Sequence, residues 1–220
     1  MIAAKDLEHA FDAMFFNIGF QRVSDMVGQS PDFKNADYIR MDQKVIVELK
    51  IIDKDFFKDG GIIDRLHGFI PIREDGRTDL PPNSPGQYHF TLPPTNRESR
   101  HDTIEEPLRR VLKKANRQIK ETNQRLLNGE GLGVILIALN METRIQLNVI
   151  TALAESLLAI EFSSIPGFLV CDPVLAINGD DVSCIHGVKQ EMPDDFELLC
   201  SNLGDYFCDF FYQIGSSEIE

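Results

Sequence analysis

The run from Gly133 to Leu139 carries no polar side chain, and this limits the fold more than any other feature of the chain. A strand that is apolar on both sides has to be covered on both faces, which is the situation of a central strand in a parallel or mixed sheet flanked by helices. The same run is far too short for a membrane-spanning helix, which needs about 20 apolar residues.

The segments around it read as the matching layers. Before it, Glu105 and Glu106 precede Pro107, a proline in the favoured first-turn position, with acidic charge suited to the positive end of a helix dipole. The helix continues to about Leu127, with Leu108, Val111, Leu112, Ala115, Ile119 and Leu126 on one face, and Asn128-Gly129-Glu130-Gly131 stops it. After the run, a helix from roughly Glu142 to Ile160 leads to a strand from Gly167 to Cys171. The chain opens with an amphipathic helix over Asp6 to Phe16, built on Leu7, Ala10, Phe11, Met14 and Phe15 and ending near Gly19. A short strand is expected over Phe20 to Met26, then strands over Tyr38 to Met41 and Lys44 to Ile52 around the polar pair Asp42-Gln43. A hairpin near Asn178-Gly179 and a helix over Phe196 to Phe211 close the order. The expectation is an α/β fold, a mixed sheet with helices on both faces.

At 220 residues and 43% apolar, the chain can bury one sizeable core, so residues 1–220 are read as a single domain. Residues 53–103 show no sustained period and hold six of the eleven prolines, which marks a functional or mobile insertion. Residues 172–220 form an acidic C-terminal elaboration, with eight acids and no lysine or arginine from Gln190 to Glu220. Cys171, Cys184, Cys200 and Cys208 lack the close pairing of a zinc site and are read as reduced, mostly buried thiols. With no apolar leader at the start, a soluble cytoplasmic protein that does not enter membranes is expected.

A net charge of -13 argues against a protein that coats nucleic acid over its whole surface. The distribution is uneven, however. Between Arg109 and Arg125 there are seven basic residues against one acid, Glu121, so a basic strip on an acidic body can engage a polyanion locally. Lys113, Arg117 and Lys120 are the expected phosphate contacts on that helix; a solvated charged face is the plainer alternative.

Chemistry concentrates in the hairpin. Alternation along the second strand sends Val45, Val47, Leu49 and Ile51 to one face and Ile46, Glu48 and Lys50 to the other. If the loop spans Met41 to Lys44, paired residue numbers sum to 85 and Asp37 falls opposite Glu48. Like charges directly opposed destabilise a sheet, so the pair calls for a cation. Mg²⁺, with Mn²⁺ as a substitute, takes carboxylate, carbonyl and water oxygens and leaves positions for phosphate. The plain alternative is a solvated strand face with a weak Glu48–Lys50 pair.

Asp37, a short hairpin and Glu48-Leu49-Lys50 on an apolar strand resemble the PD-(D/E)xK superfamily, the restriction-endonuclease-like nucleases. The element order over residues 5–140 resembles the core of that family as well. Ala36 stands where the motif has proline, and the literal Pro-Asp pair is Pro31-Asp32, which leaves Asp32 as a rival to Asp37. The resemblance implies that Asp37 and Glu48 hold the metal with the Leu49 carbonyl, while Lys50 serves the attacking water or the scissile phosphate. It further implies an acidic ligand from the opening helix, Glu8 with Asp12 as substitute, and a polar residue, Gln118, turned from the basic helix toward the site. The implied activity is Mg²⁺-dependent hydrolysis of phosphodiester bonds, with DNA as the expected polymer. The alternative is a silent nuclease-like scaffold whose acidic tail meets a basic protein partner. Whether the protein is a homodimer is left open. A nucleotide-cradling loop at Asn128 to Gly133 is rejected, because that glycine-rich segment leaves a helix and enters a strand. His67, His89 and His101 have no ligand spacing and are read as surface residues.

Overall fold

The computed structural model describes residues 3–28, 32–52, 105–140, 144–180, 183–189 and 191–217. The expected insertion and its three histidines lie outside the described residues.

Helix α1 spans Ala4–Asn17 and ends in a turn in which the amides of Ile18 and Gly19 return to the carbonyls of Phe15 and Phe16. Where one short strand is expected, the chain instead makes the two-residue strand β1, Gln21–Arg22, followed by the short helix α2, Val23–Val27. Strands β2 (Tyr38–Arg40) and β3 (Val45–Ile52) form the hairpin. Helix α3 covers Glu106–Leu126, strand β4 Leu132–Leu139, helix α4 Arg144–Ile160 and strand β5 Gly167–Cys171.

The C-terminal part differs most from expectation. Strands β5 and β6 (Cys184–Val188) do pair antiparallel, but Asn178-Gly179 is not the tip of a tight hairpin. It ends a short helix α5, Pro173–Ile177, which Asp172 starts by accepting the amides of Val174 and Leu175, with proline in the first turn. The last helix, α6, runs over Asp194–Ser217, longer at both ends than its apolar spacing suggests. Asp194, Asp195 and Glu197 in its first turn suit the dipole there.

The six strands lie in the order β1-β2-β3-β4-β5-β6. The middle pairs β3–β4 and β4–β5 are parallel and the outer ones antiparallel, giving a mixed open sheet. One face buries Ile39, Ile46, Ile52, Ile135, Ile137, Leu139 and Val170 against α3 and α4. The other buries Tyr38, Val45, Val47, Val134, Leu136 and Leu169 against α1 and α6. Alternate residues of β4 thus enter different cores, which is why the run tolerates no polar side chain. Position 133 of that strand is glycine, where an added Cβ would collide with the Ser164 carbonyl and Ile119. The acidic tail is therefore part of this packing: Phe196, Cys200, Phe207 and Phe211 of α6 are buried. Among the described residues, no helix is long and apolar enough to cross a membrane.

Candidate functional site

The hairpin closes through a loop at Met41 to Lys44, with the Lys44 amide donating to the Met41 carbonyl at 3.3 Å and Lys44 at φ +52°, the left-handed residue such a loop requires. The register is Arg40↔Val45, Ile39↔Ile46 and Tyr38↔Val47, so paired numbers sum to 85. Strand β2 begins only at Tyr38, and Asp37 sits at the point where the ladder stops. There its side chain replaces the missing strand: Asp37 Oδ2 accepts the Leu49 amide at 2.9 Å.

This contact also aims the Leu49 carbonyl. Residues of a strand present N–H and C=O to the same side, alternating from one residue to the next. Lys44 and Ile52 give their carbonyls to the amides of Leu132 and Asn140, on the β4 side. Leu49, of opposite parity, turns its amide and its carbonyl toward Asp37. Asp37, the Glu48–Lys50 segment and the Leu49 carbonyl thus meet at one edge of the hairpin.

Glu48 is fully buried, which rules out a solvated strand face for it. Lys50, 18% exposed in its side chain, donates Nζ to Glu48 Oε1. Glu48 Oε2 is buried with no hydrogen-bond partner among the described residues. Burial, and after it the Asp37 charge, pushes the Glu48 carboxyl up to about 8, against the opposing pull of Lys50 and Lys114. Asp37 is also raised, chiefly by burial and further by Glu8, while Lys50, the Leu49 amide and Arg22 counteract.

Helix α3 straps down the segment that delivers Asp37. Arg125 meets the Asp32 carboxylate at 3.2 Å, Glu121 Oε2 accepts the Lys34 amide at 2.6 Å, Gln118 Nε2 donates to the Asn35 carbonyl at 2.8 Å, and buried Thr122 Oγ1 accepts the Ala36 amide at 2.8 Å. Positions 118, 121, 122 and 125 follow i, i+3, i+4, i+7 spacing, which sets these four side chains along one flank of the helix. Asp32, 77% exposed, is therefore a surface partner of Arg125, and Asp37 is the carboxylate that reaches the β3 edge. Gln118 commits its donor to the chain, and its Oε1 is buried without a partner among the described residues.

From the opposite layer, Glu8 is exposed on α1 and close enough for its charge to act on Asp37. Asp12 is not a substitute for it. Both Asp12 oxygens are taken by Arg22, at 2.6 and 2.7 Å, and Oδ1 also accepts the Tyr38 hydroxyl at 2.8 Å. Lys113, Arg117 and Lys120 lie on the exposed face of α3; Arg117 pairs with Glu121, whereas Lys113 and Lys120 have no acidic partner among the described residues.

Two cations escaped the sequence reading. Lys114 acts on Glu48 and Arg22 on Asp37, from α3 and β1 respectively. Lys114 is one turn before Gln118 on the same flank, and helical spacing alone could have paired them. Arg22 carries no such signal, because a two-residue strand has no period to read.

Among the described residues, no three His, Cys, Asp or Glu side chains gather to hold an ion. Any metal here would rest on two carboxylates and a main-chain carbonyl. The four cysteines are free, with Cys171 and Cys200 buried and Cys184 and Cys208 half-buried. Comparison with family models, curated proteins and solved structures finds no match for this chain.

Proposed function

We propose that the protein is a Mg²⁺-dependent nuclease with a restriction-endonuclease-like core, hydrolysing phosphodiester bonds at the edge of the β2–β3 hairpin, with DNA as the expected polymer. The observation that carries this reading is Glu48: a fully buried carboxylate beside a second carboxylate, with Lys50 on one oxygen and the other without a partner. Ionising a buried carboxyl with an unsatisfied oxygen costs several kcal/mol unless something meets that oxygen, which is why Glu48 is raised in the absence of an ion. A hard divalent cation would meet it and would quench the repulsion from Asp37. The donor set fits such an ion, because Asp37, Glu48 Oε2 and the Leu49 carbonyl are all oxygens, the ligand type Mg²⁺ and Mn²⁺ prefer.

When bound, the ion supplies a Lewis acid that acidifies water and stabilises charge on phosphoryl oxygens. The chain's own residues do the rest. Asp37 and Glu48 would hold the ion at the strand edge, and the α3 strap keeps Asp37 on that edge. Lys50, which donates to Glu48 Oε1, neutralises phosphate charge and orients the incoming water. Lys114 adds positive charge from α3, and the exposed Lys113, Arg117 and Lys120 extend it for the polymer backbone. Glu8 contributes negative charge from the α1 side that would favour a bound cation.

The test is cleavage of linear, circular and single-stranded DNA, and of RNA, by purified protein with Mg²⁺, Mn²⁺ or chelator. Metal-dependent cutting that chelator abolishes is expected. A protein that cuts none of these polymers with either metal would instead be the nuclease-like scaffold.

A further inference from the structure

We propose that Arg22 is a phosphate-binding arm of this site, holding a backbone phosphate of the polynucleotide on the β1 side of the carboxylate pair. The inference rests on the nuclease reading above and adds a residue and a ligand contact to it.

The placement is geometric. Arg22 stands opposite Tyr38 in the β1–β2 register, and the next amide, Val23 N–H, donates to the Asp37 carbonyl at 3.0 Å. Arg22 is thereby tied to the residue that anchors the site. Its guanidinium is held by Asp12 and by the Tyr38 ring. Nε and Nη2 grip the two oxygens of Asp12 at 2.6 and 2.7 Å, the Tyr38 hydroxyl steadies the same carboxylate at 2.8 Å, and the guanidinium carbon lies 5.8 Å from the centre of the Tyr38 ring.

A guanidinium has five N–H groups in a planar fork, and the Asp12 fork uses two. Nη1 makes no hydrogen bond to a described residue and is not among the buried polar atoms, while the side chain is 35% exposed. A donor group thus remains open on a guanidinium fixed in place by Asp12, one residue before the amide that bonds Asp37. Such a fork suits phosphate oxygens, and its rotamer entropy is already lost before the ligand arrives. The Coulomb coupling between Arg22 and Asp37 agrees with this closeness.

The experiment compares wild type with Arg22→Lys and Arg22→Gln, each checked for folding by circular dichroism and thermal melting. Cleavage kinetics are measured in Mg²⁺, and binding of a short DNA duplex, its single strand and the matching RNA strand is measured in Ca²⁺ across salt concentrations. Loss of a ground-state phosphate contact raises KM by about tenfold or more, with kcat changed far less. It also lowers the salt slope of binding by about one phosphate contact. Arg22→Lys should recover part of the affinity, since it keeps the charge and the Asp12 pair but not the fork. Should Arg22→Gln fail to fold, Arg22→Lys carries the test. If wild type cuts and binds but the folded variants keep its KM and salt slope, Arg22 is a structural brace and the inference is overturned with the nuclease reading intact. A fall in kcat alone overturns it as well, assigning Arg22 to the placement of Asp37. If wild type neither binds nor cuts any of these polymers, the nuclease reading itself fails and the inference falls with it.

Discussion

At the scale of single residues, Glu48 decides the behaviour of the site. Its ordinary value is 4.5, and burial with the Asp37 charge pushes it up to about 8. Between those values the metal-free native state keeps a proton that the unfolded chain releases, so stability falls as pH rises. The contribution is whole below about 4.5 and lost above about 8, and the raised Asp37 carboxyl acts in the same direction. Melting temperatures from pH 5 to pH 9 in chelator should therefore decline more steeply in wild type than in Glu48→Gln; parallel profiles would contradict this. On the proposed reading Mg²⁺ prefers the ionised pair, so the melting shift it causes should grow over the same window and largely vanish in Asp37→Asn. The pairing of Asp37 with the Glu48 segment was legible beforehand, because loop length and strand alternation suffice to fix a hairpin register. The burial of Glu48 was not, since what covers that face is a helix more than fifty residues further along the chain.

At the scale of elements, α3 does two separable jobs on two faces. Its flank straps residues 32–36, and its outer face carries positive charge. Thr122→Val leaves the buried Ala36 amide without an acceptor and should cost about 1–3 kcal/mol in denaturant melts. Because Asp37 follows Ala36, metal-dependent stabilisation should weaken as well, and a variant with unchanged melts would remove the strap from the account. Replacing Lys113, Arg117 and Lys120 with glutamine should weaken nucleic-acid binding about uniformly across sequences and flatten its salt dependence, since phosphate contacts carry no base readout. An unaltered salt slope would return that face to solvent. The helix and its apolar stripe were readable from a strong period, and so was the stop at Asn128-Gly129. The strap was not: each of its four contacts joins residues more than eighty apart, and polar side chains meeting main-chain groups leave no periodic trace.

At the scale of the whole molecule, a mixed sheet with helices on both faces brings both layers to the hairpin edge. Glu8 and Arg22 reach it from the α1 side, and Lys114 and the strap from the α3 side. The central strand announced this architecture, because β4 feeds two cores at once. The C-terminal region was harder to read. Its acidity suggested an elaboration, yet the apolar residues of α6 between the acids complete the second core. A helix that is charged outside and aromatic inside has a misleading average composition, and only its 3.6-residue period reveals the buried side. The proposed chemistry turns on Lys50, which donates to Glu48 Oε1 and whose proposed catalytic role does not depend on holding the fold. Lys50→Ala, confirmed folded by circular dichroism, should still gain thermal stability from Mg²⁺. The decisive measurement is its single-turnover cleavage at saturating Mg²⁺ beside wild type. The account predicts a fall of about 10²-fold or more, roughly 2.7 kcal/mol of transition-state stabilisation, not fully rescued by Lys50→Arg. A folded Lys50→Ala protein that cuts at the wild-type rate would contradict it.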